Sequence, residues 1–303
     1  MTARIGLGPS DFRQLREEGI YYVDKSRLLV ELLGDPDQVL LFPRPRRFGK
    51  TLNLSMLRYF LEKSDEDRRP LFDDLAVWQS AEAQSHFGRY PVIFLTFKDA
   101  KASSFDSCMK AIRLLLAEAF ARHRYLLGSA ALTPEQASGF RSVIEGSAEE
   151  ELCWRSLYDL TKAMASYHGE KAVVLIDEYD APIHAGYANG YYDQVVAFFR
   201  NLLSAVLKDN PCLFKGVLTG VLRIAKESLS SGLNNVKVRS ILSLRFADAF
   251  GFTEAEVRTM AEAMERPEVA EQIACWYDGY RFGETKIYNP WSVLSYAADP
   301  QDG

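Results

Sequence analysis

An α/β fold on a parallel sheet is predicted for this chain by three apolar runs, each ending in residues suited to phosphate or metal chemistry. Val39–Phe42 leads directly into the basic stretch Arg44–Thr51, and Thr51–Glu62 follows with Leu52, Leu54, Met56, Leu57 and Phe60 at helical spacing. Ala172–Ile176 ends in the acidic pair Asp177 and Glu178. Leu213–Leu218 ends in Thr219 and Gly220. Runs that are apolar throughout, without alternation, suit strands buried on both faces of a parallel sheet.

In chain order, a helix is expected from near Asp24, with Leu28, Leu29, Leu32 and Leu33 on one face. Strand Val39–Phe42, the basic loop and its helix come next, and Pro91–Phe97 is a second strand. A long helical region then runs in three pieces, about Ser104 to Tyr125, Pro134 to Glu145 and Glu149 to Tyr167. After the acidic strand, Tyr191–Lys208 reads as helix, Leu213–Leu218 as strand and Val236–Leu242 as a fifth strand. From Gly251 the pattern turns helical: Thr253 and Glu256 form a capping box, Pro267–Tyr277 follows, and Pro290 starts a final turn or helix. The expected division is residues 1–250 as the sheet-based unit and 251–303 as a small helical lid or linker.

The chemistry begins at the basic loop. Gly49 lets backbone N–H groups approach phosphate oxygens, Lys50 brings a point charge to the β- and γ-phosphates, and Thr51 offers a hydroxyl to Mg²⁺. The consensus GxxxxGK followed by Ser or Thr asks for glycine where this chain has Arg44, which puts the rate of any turnover in question. A basic turn capping a helix is the plainer alternative. Downstream, Asp177 is placed to orient the metal's water ligands opposite Thr51, and Glu178 to act as general base on an attacking water. Together these runs predict a three-layer P-loop NTPase sheet of the additional-strand type, in which a polar tip residue, here Thr219, senses the γ-phosphate. A local turn hydrogen bond explains Thr219 equally well.

The chain also resembles the predicted AAA-ATPase-like family of bacterial and archaeal proteins. The similarity is carried by YYVDKSRLLVELL (21–33), RPRRFGKTLNLSML (44–57), VVLIDEYDAPI (173–183), LTGVLRIAKESLSSGLNN (218–235), FGFTEAEV (250–257), WYDGYRFG (276–283) and YNPWSVL (288–294). These blocks occur in family order and span nearly the whole chain. The resemblance implies ATP and Mg²⁺ as ligands and a loop that commonly begins RPRRFGK, so Arg44 is a family trait. It also implies a nucleotide cradle of Arg46, Arg47, Phe48, Gly49, Lys50, Thr51 and Leu52. A C-terminal nuclease-like module of the PD-(D/E)XK type is often fused in relatives, and the chain is expected either to be truncated before it or to stand alone.

Other residues invite a role. Arg223 is a candidate arginine finger, against an exposed pairing with Glu227 at i,i+4. Asp180 belongs either to the metal shell or, more simply, to the turn before Pro182. Tyr21 and Tyr22 are candidates for stacking near adenine, against a core role. Glu284 and Lys286 form an ExK triplet, but in a glycine-flanked turn that needs no site.

Composition narrows the classes. A chain of 303 residues, 48% hydrophobic and 25% charged, has enough apolar content for an α/β core plus an appendage. Net charge −5 with pI near 5.6 argues against a general nucleic-acid-coating surface, leaving nucleic acid to a partner. Cys108, Cys153, Cys212 and Cys275 lack CxxC spacing and read as reduced core thiols, and the four histidines lack metal-site spacing. No apolar run reaches membrane-spanning length and the start lacks a signal core, so a cytoplasmic protein is expected, with oligomeric state open. Three functions follow: an ATPase that switches a lid or partner, a nucleotide-binding regulator with little turnover controlling a nuclease-like or other effector, and a ligand-free interaction scaffold.

Overall fold

The structure is a computed structural model and describes residues 3–221 and 234–299. Its centre is a five-stranded parallel sheet of β1 (Val39–Pro43), β2 (Val92–Thr96), β3 (Ala172–Asp177), β4 (Leu213–Gly220) and β5 (Val236–Val238), in the order β2-β3-β4-β1-β5. Strand β4 therefore lies between the strand that leads into the basic loop and the strand that ends in the acidic pair. The sequence expects all five; β5 stops earlier than expected, one main-chain bond after Val238, from Arg239 N–H to the Leu41 carbonyl.

Alternation along the strands assigns the layers. Val39, Leu41, Leu95, Val174 and Ile176 face one side. There they meet α5 (Phe105–Arg122), α6 (Pro134–Ile144), α7 (Glu150–His168), α8 (Ala181–Asn189) and α9 (Tyr192–Leu207). Leu40, Phe42, Val173, Leu175 and Val217 face the other side. Against them pack α1 (Phe12–Glu17), α2 (Arg27–Leu33), α3 (Lys50–Leu61) and the short α4 (Ala81–Gln84). Helix α2 begins later than expected, because the Asp24 carboxylate accepts from the amides of Ser26 and Ala76 and so ties two loops together.

Residues beyond Gly251 depart from the expected all-helical pattern. They form α10 (Glu254–Ala263), α11 (Glu268–Trp276) and α12 (Pro290–Ala298), together with a three-stranded antiparallel sheet of β6 (Phe252–Thr253), β7 (Tyr280–Phe282) and β8 (Thr285–Tyr288). The Thr253–Glu256 capping box is present as expected. The hairpin was not legible because each strand has four residues or fewer, too short for a period-two pattern to stand out. Phe282 and Ile287 join the core of Phe42 and Phe48, while Val23 joins that of Met260 and Tyr288. The Ala3 amide donates to the Ala263 carbonyl, so chain start and C-terminal module are stitched together. No helix among the described residues is long and apolar enough to cross a membrane.

Candidate functional site

Parallel register brings the tips of four strands to one edge. Phe42 is level with Thr219, and Thr96 with Asp177. Asp177 is fully buried, and its carboxylate collects hydroxyls from three elements. Thr51 Oγ1 at the start of α3 donates to Oδ2 at 2.6 Å, Thr219 Oγ1 donates to Oδ1 at 2.5 Å, and Thr96 Oγ1 stands 3.5 Å from Oδ2. Thr51 and Asp177, 126 positions apart in sequence, thus meet directly. Thr219, the expected γ-phosphate sensor, is fully buried and its hydroxyl serves Asp177.

The loop before α3 turns through two left-handed residues, Arg47 at φ 66° and Gly49 at φ 77°. Only the second is glycine, and an L residue at the first implies that its surroundings hold it there. Beyond this turn the free N–H groups of α3 point outward with the positive end of the helix dipole. Lys50 is buried, and its Nζ donates to the carbonyls of Arg44 at 3.2 Å and Pro45 at 2.9 Å. Burial lowers its proton affinity, and the nearby Asp177, Glu178 and Asp180 carboxylates partly restore it.

Arg44 occupies the glycine position of the consensus and is no part of a phosphate surface. It is fully buried, donating to the carbonyls of Pro43 at 3.0 Å, Arg239 at 2.6 Å and Phe246 at 3.1 Å. The rings of Phe42, Phe250 and Phe282 surround its guanidinium at 5.1 to 5.9 Å. This burial lowers its pKa to about 10. Arg44 is not among the positive-φ residues, so its backbone has no need of glycine.

A cavity of about 510 Å³ opens from this loop. Arg46, Arg47, Phe48, Gly49, Lys50, Thr51 and Leu52 form one wall, Tyr21, Tyr22 and Gly6–Ser10 a second, Phe252, Trp291 and Leu294 a third. Arg46 and Arg47 are exposed, and the Arg47 guanidinium lies 4.4 Å from the Trp291 ring centre. The Phe48 ring is buried against Tyr280 and Phe282, so only its main chain is placed for a ligand. Tyr22 splits its role: its ring packs edge-on to Phe12, and its hydroxyl meets the Met56 sulfur at 3.1 Å. Glu178, at φ 48°, turns its carboxylate towards Lys101, 4.0 Å away.

Several groups at this site went unnoticed in the sequence. Lys25 lines the cavity and donates to both Glu256 carboxylate oxygens at 2.6 Å, pinning the C-terminal module beside the loop. Lys101 lies in a stretch with no motif, and Trp291 lies in the YNPWSVL block, which assigned it no role, so spatial proximity singles out both. Asp180 is buried and accepts from the Val221 amide at 2.8 Å, which bends the chain just past β4. Glu284 falls in a turn and Lys286 on β8, its amine 5.0 Å from the Tyr288 ring. Cys108 and Cys153 are buried as expected, but Cys275 is exposed on α11, correcting its reading as a core thiol. Arg223 lies outside the described residues.

Among the described residues no three or more His, Cys, Asp or Glu gather as a metal site. The Thr51 hydroxyl and Asp177 carboxylate nonetheless suit Mg²⁺, which commonly takes one or two carboxylates and completes its shell with water and substrate phosphates.

The family model described as Predicted AAA-ATPase matches residues 6–230, well over half of the 303. A relative described as an uncharacterized protein in the vnfD 5' region of Azotobacter chroococcum mcd 1 is 29% identical over 297 residues. The match covers 96% of this chain and 51% of that protein, so the chain spans about half of the relative's length. No solved structure matches significantly. The chain belongs to the predicted AAA-ATPase family.

Proposed function

We propose that this chain binds ATP together with Mg²⁺ and hydrolyses it, on a P-loop fold of the additional-strand type whose residues 251–303 act as a lid. The observation that supports this most is the meeting of Lys50 and Thr51, at the start of α3, with Asp177, at the tip of β3, beside a cavity of ligand size that Lys50 and Thr51 line. Lys50 would exchange two main-chain carbonyls for phosphate oxygens, while amides from Gly49 to Leu52 donate to the same group. Arg46 and Arg47 add positive potential. Thr51 and Asp177 would hold Mg²⁺, which when bound neutralises charge on the β- and γ-phosphates. Thr219 fixes the orientation of Asp177 through its hydroxyl and acts on the phosphates through that carboxylate. Glu178 takes the proton of the attacking water. Arg223 keeps its candidacy as a finger from sequence position alone.

The nucleoside has room in the part of the cavity lined by Tyr21, Phe252 and Trp291. Preference for ATP rests on the family description. A second reading, a regulator with little turnover, is favoured by Glu178, whose carboxylate faces Lys101. Thermal shifts with ATP, with and without Mg²⁺, combined with phosphate release, separate the two. Hydrolysis requires release by the wild type, no release by Glu178→Gln with its shift kept, and no shift for Lys50→Ala. A shift without release supports the regulator, and no shift for any form removes both.

A further inference from the structure

Arg46, Lys101 and Glu178 line two cavities at once: the large one beside the loop and a second of about 310 Å³ between Glu178, Asp180, His184 and Val221. These three residues are the shared wall. Lys101 lies between β2 and α5, past the tip of a strand that pairs with the acidic one. Its Nζ is 4.0 Å from Glu178 Oε2, too far for a hydrogen bond, and its side chain is 54% exposed. A pair this open and this long contributes little, so little is lost when Lys101 leaves it. Lys50 is held by two carbonyls and Arg47 lies over Trp291, so both have defined short-range partners. Glu178 is held at a left-handed backbone angle that an L residue keeps only under constraint.

We propose that Lys101 reads the terminal phosphate: without nucleotide it faces Glu178, and a triphosphate in the large cavity draws it away, leaving Glu178 unpaired beside the second cavity. This rests on the nucleotide-binding reading above and adds a group that distinguishes triphosphate from diphosphate. The driving force is charge, since a terminal phosphate carries about two negative charges near neutral pH against one on a carboxylate. A diphosphate that stops short of Lys101 leaves the pair with Glu178 in place.

The test measures binding of ADP and of the non-hydrolysable imido analogue of ATP, each with Mg²⁺, by titration calorimetry on the full chain. Lys101→Ala is expected to weaken the triphosphate analogue about tenfold and to leave ADP within about twofold, with Lys101→Arg restoring most of the difference. A merely structural role would move both nucleotides together. Equal losses for the two, or no loss for the analogue, overturn the assignment while leaving nucleotide binding standing. A wild-type chain that binds neither overturns the nucleotide reading and this assignment with it.

Discussion

Arg44 and Lys50 are buried cations at the two ends of one loop, and their surroundings assign them different work. Both have proton affinity lowered by burial, and both donate to main-chain carbonyls. Arg44 has three carbonyls and three aromatic faces around it and does not line the cavity. Lys50 has two carbonyls, three carboxylates within electrostatic reach and a cavity in front of it. Lys215 repeats the Arg44 pattern at the other end of the sheet, donating to the carbonyls of Asp35 and Asp37. Burial of a cation is therefore not the mark of a ligand site here. What sets Lys50 apart is a cavity in front of it with only main-chain carbonyls as its direct partners, whereas Lys25, also buried at the cavity, is tied to the Glu256 carboxylate.

The largest test removes the clamp. Arg44→Met leaves the carbonyls of Arg239 and Phe246 without their donor and should cost about 3 kcal/mol or more in urea denaturation. A cost under about 1 kcal/mol would mean that the two cations are not distinguished in this way. Next, Lys50→Ala should abolish the stabilisation by ATP, about 2.7 kcal/mol at a hundred times the dissociation constant, while the nucleotide-free fold stays within about 1 kcal/mol of wild type. Nucleotide-free destabilisation as large as that of Arg44→Met would erase the comparison.

A pH series sharpens the same contrast. Burial lowers the Lys50 pKa below its ordinary 10.5, so between the two values the unfolded chain binds more protons and stability rises with pH. Lys50→Met removes that rise, so its nucleotide-free stability relative to wild type should be greatest near neutrality and shrink as pH approaches 10.5. A constant difference across the series would contradict the burial argument. The smallest effect concerns the exposed part of the loop. Arg47→Ala removes one cation–π contact with Trp291 and should cost about 0.5 kcal/mol in urea denaturation. A cost above about 1.5 kcal/mol would show that Arg47 does more for the fold than cover that ring.

Motif chemistry was readable where it depends on short spacing. Gly49, Lys50 and Thr51 are consecutive, and a helix beginning there carries its own amides and dipole, so local sequence is enough to assign them. Asp177 was readable as a carboxylate ending a buried apolar run. Thr219 was readable as a strand tip, but its partner was not, because register between β3 and β4 decides that its hydroxyl meets Asp177. Arg44 was misleading in the opposite sense: judged against a consensus it is a missing glycine, whereas in space it joins the loop to residues 239 and 246.

By itself the sequence determined the alternation of strands and helices, the residue types at the strand tips and the capping of α10, since each depends on periodicity or on neighbours a few residues away. Only the tertiary structure decided that Arg44 joins the loop to residues 239 and 246, that Lys25 pins Glu256 to the cavity wall, and that Lys101 faces Glu178. Those are contacts between segments remote in sequence, chosen by how sheet order and buried faces pack, and no local pattern in the chain encodes them.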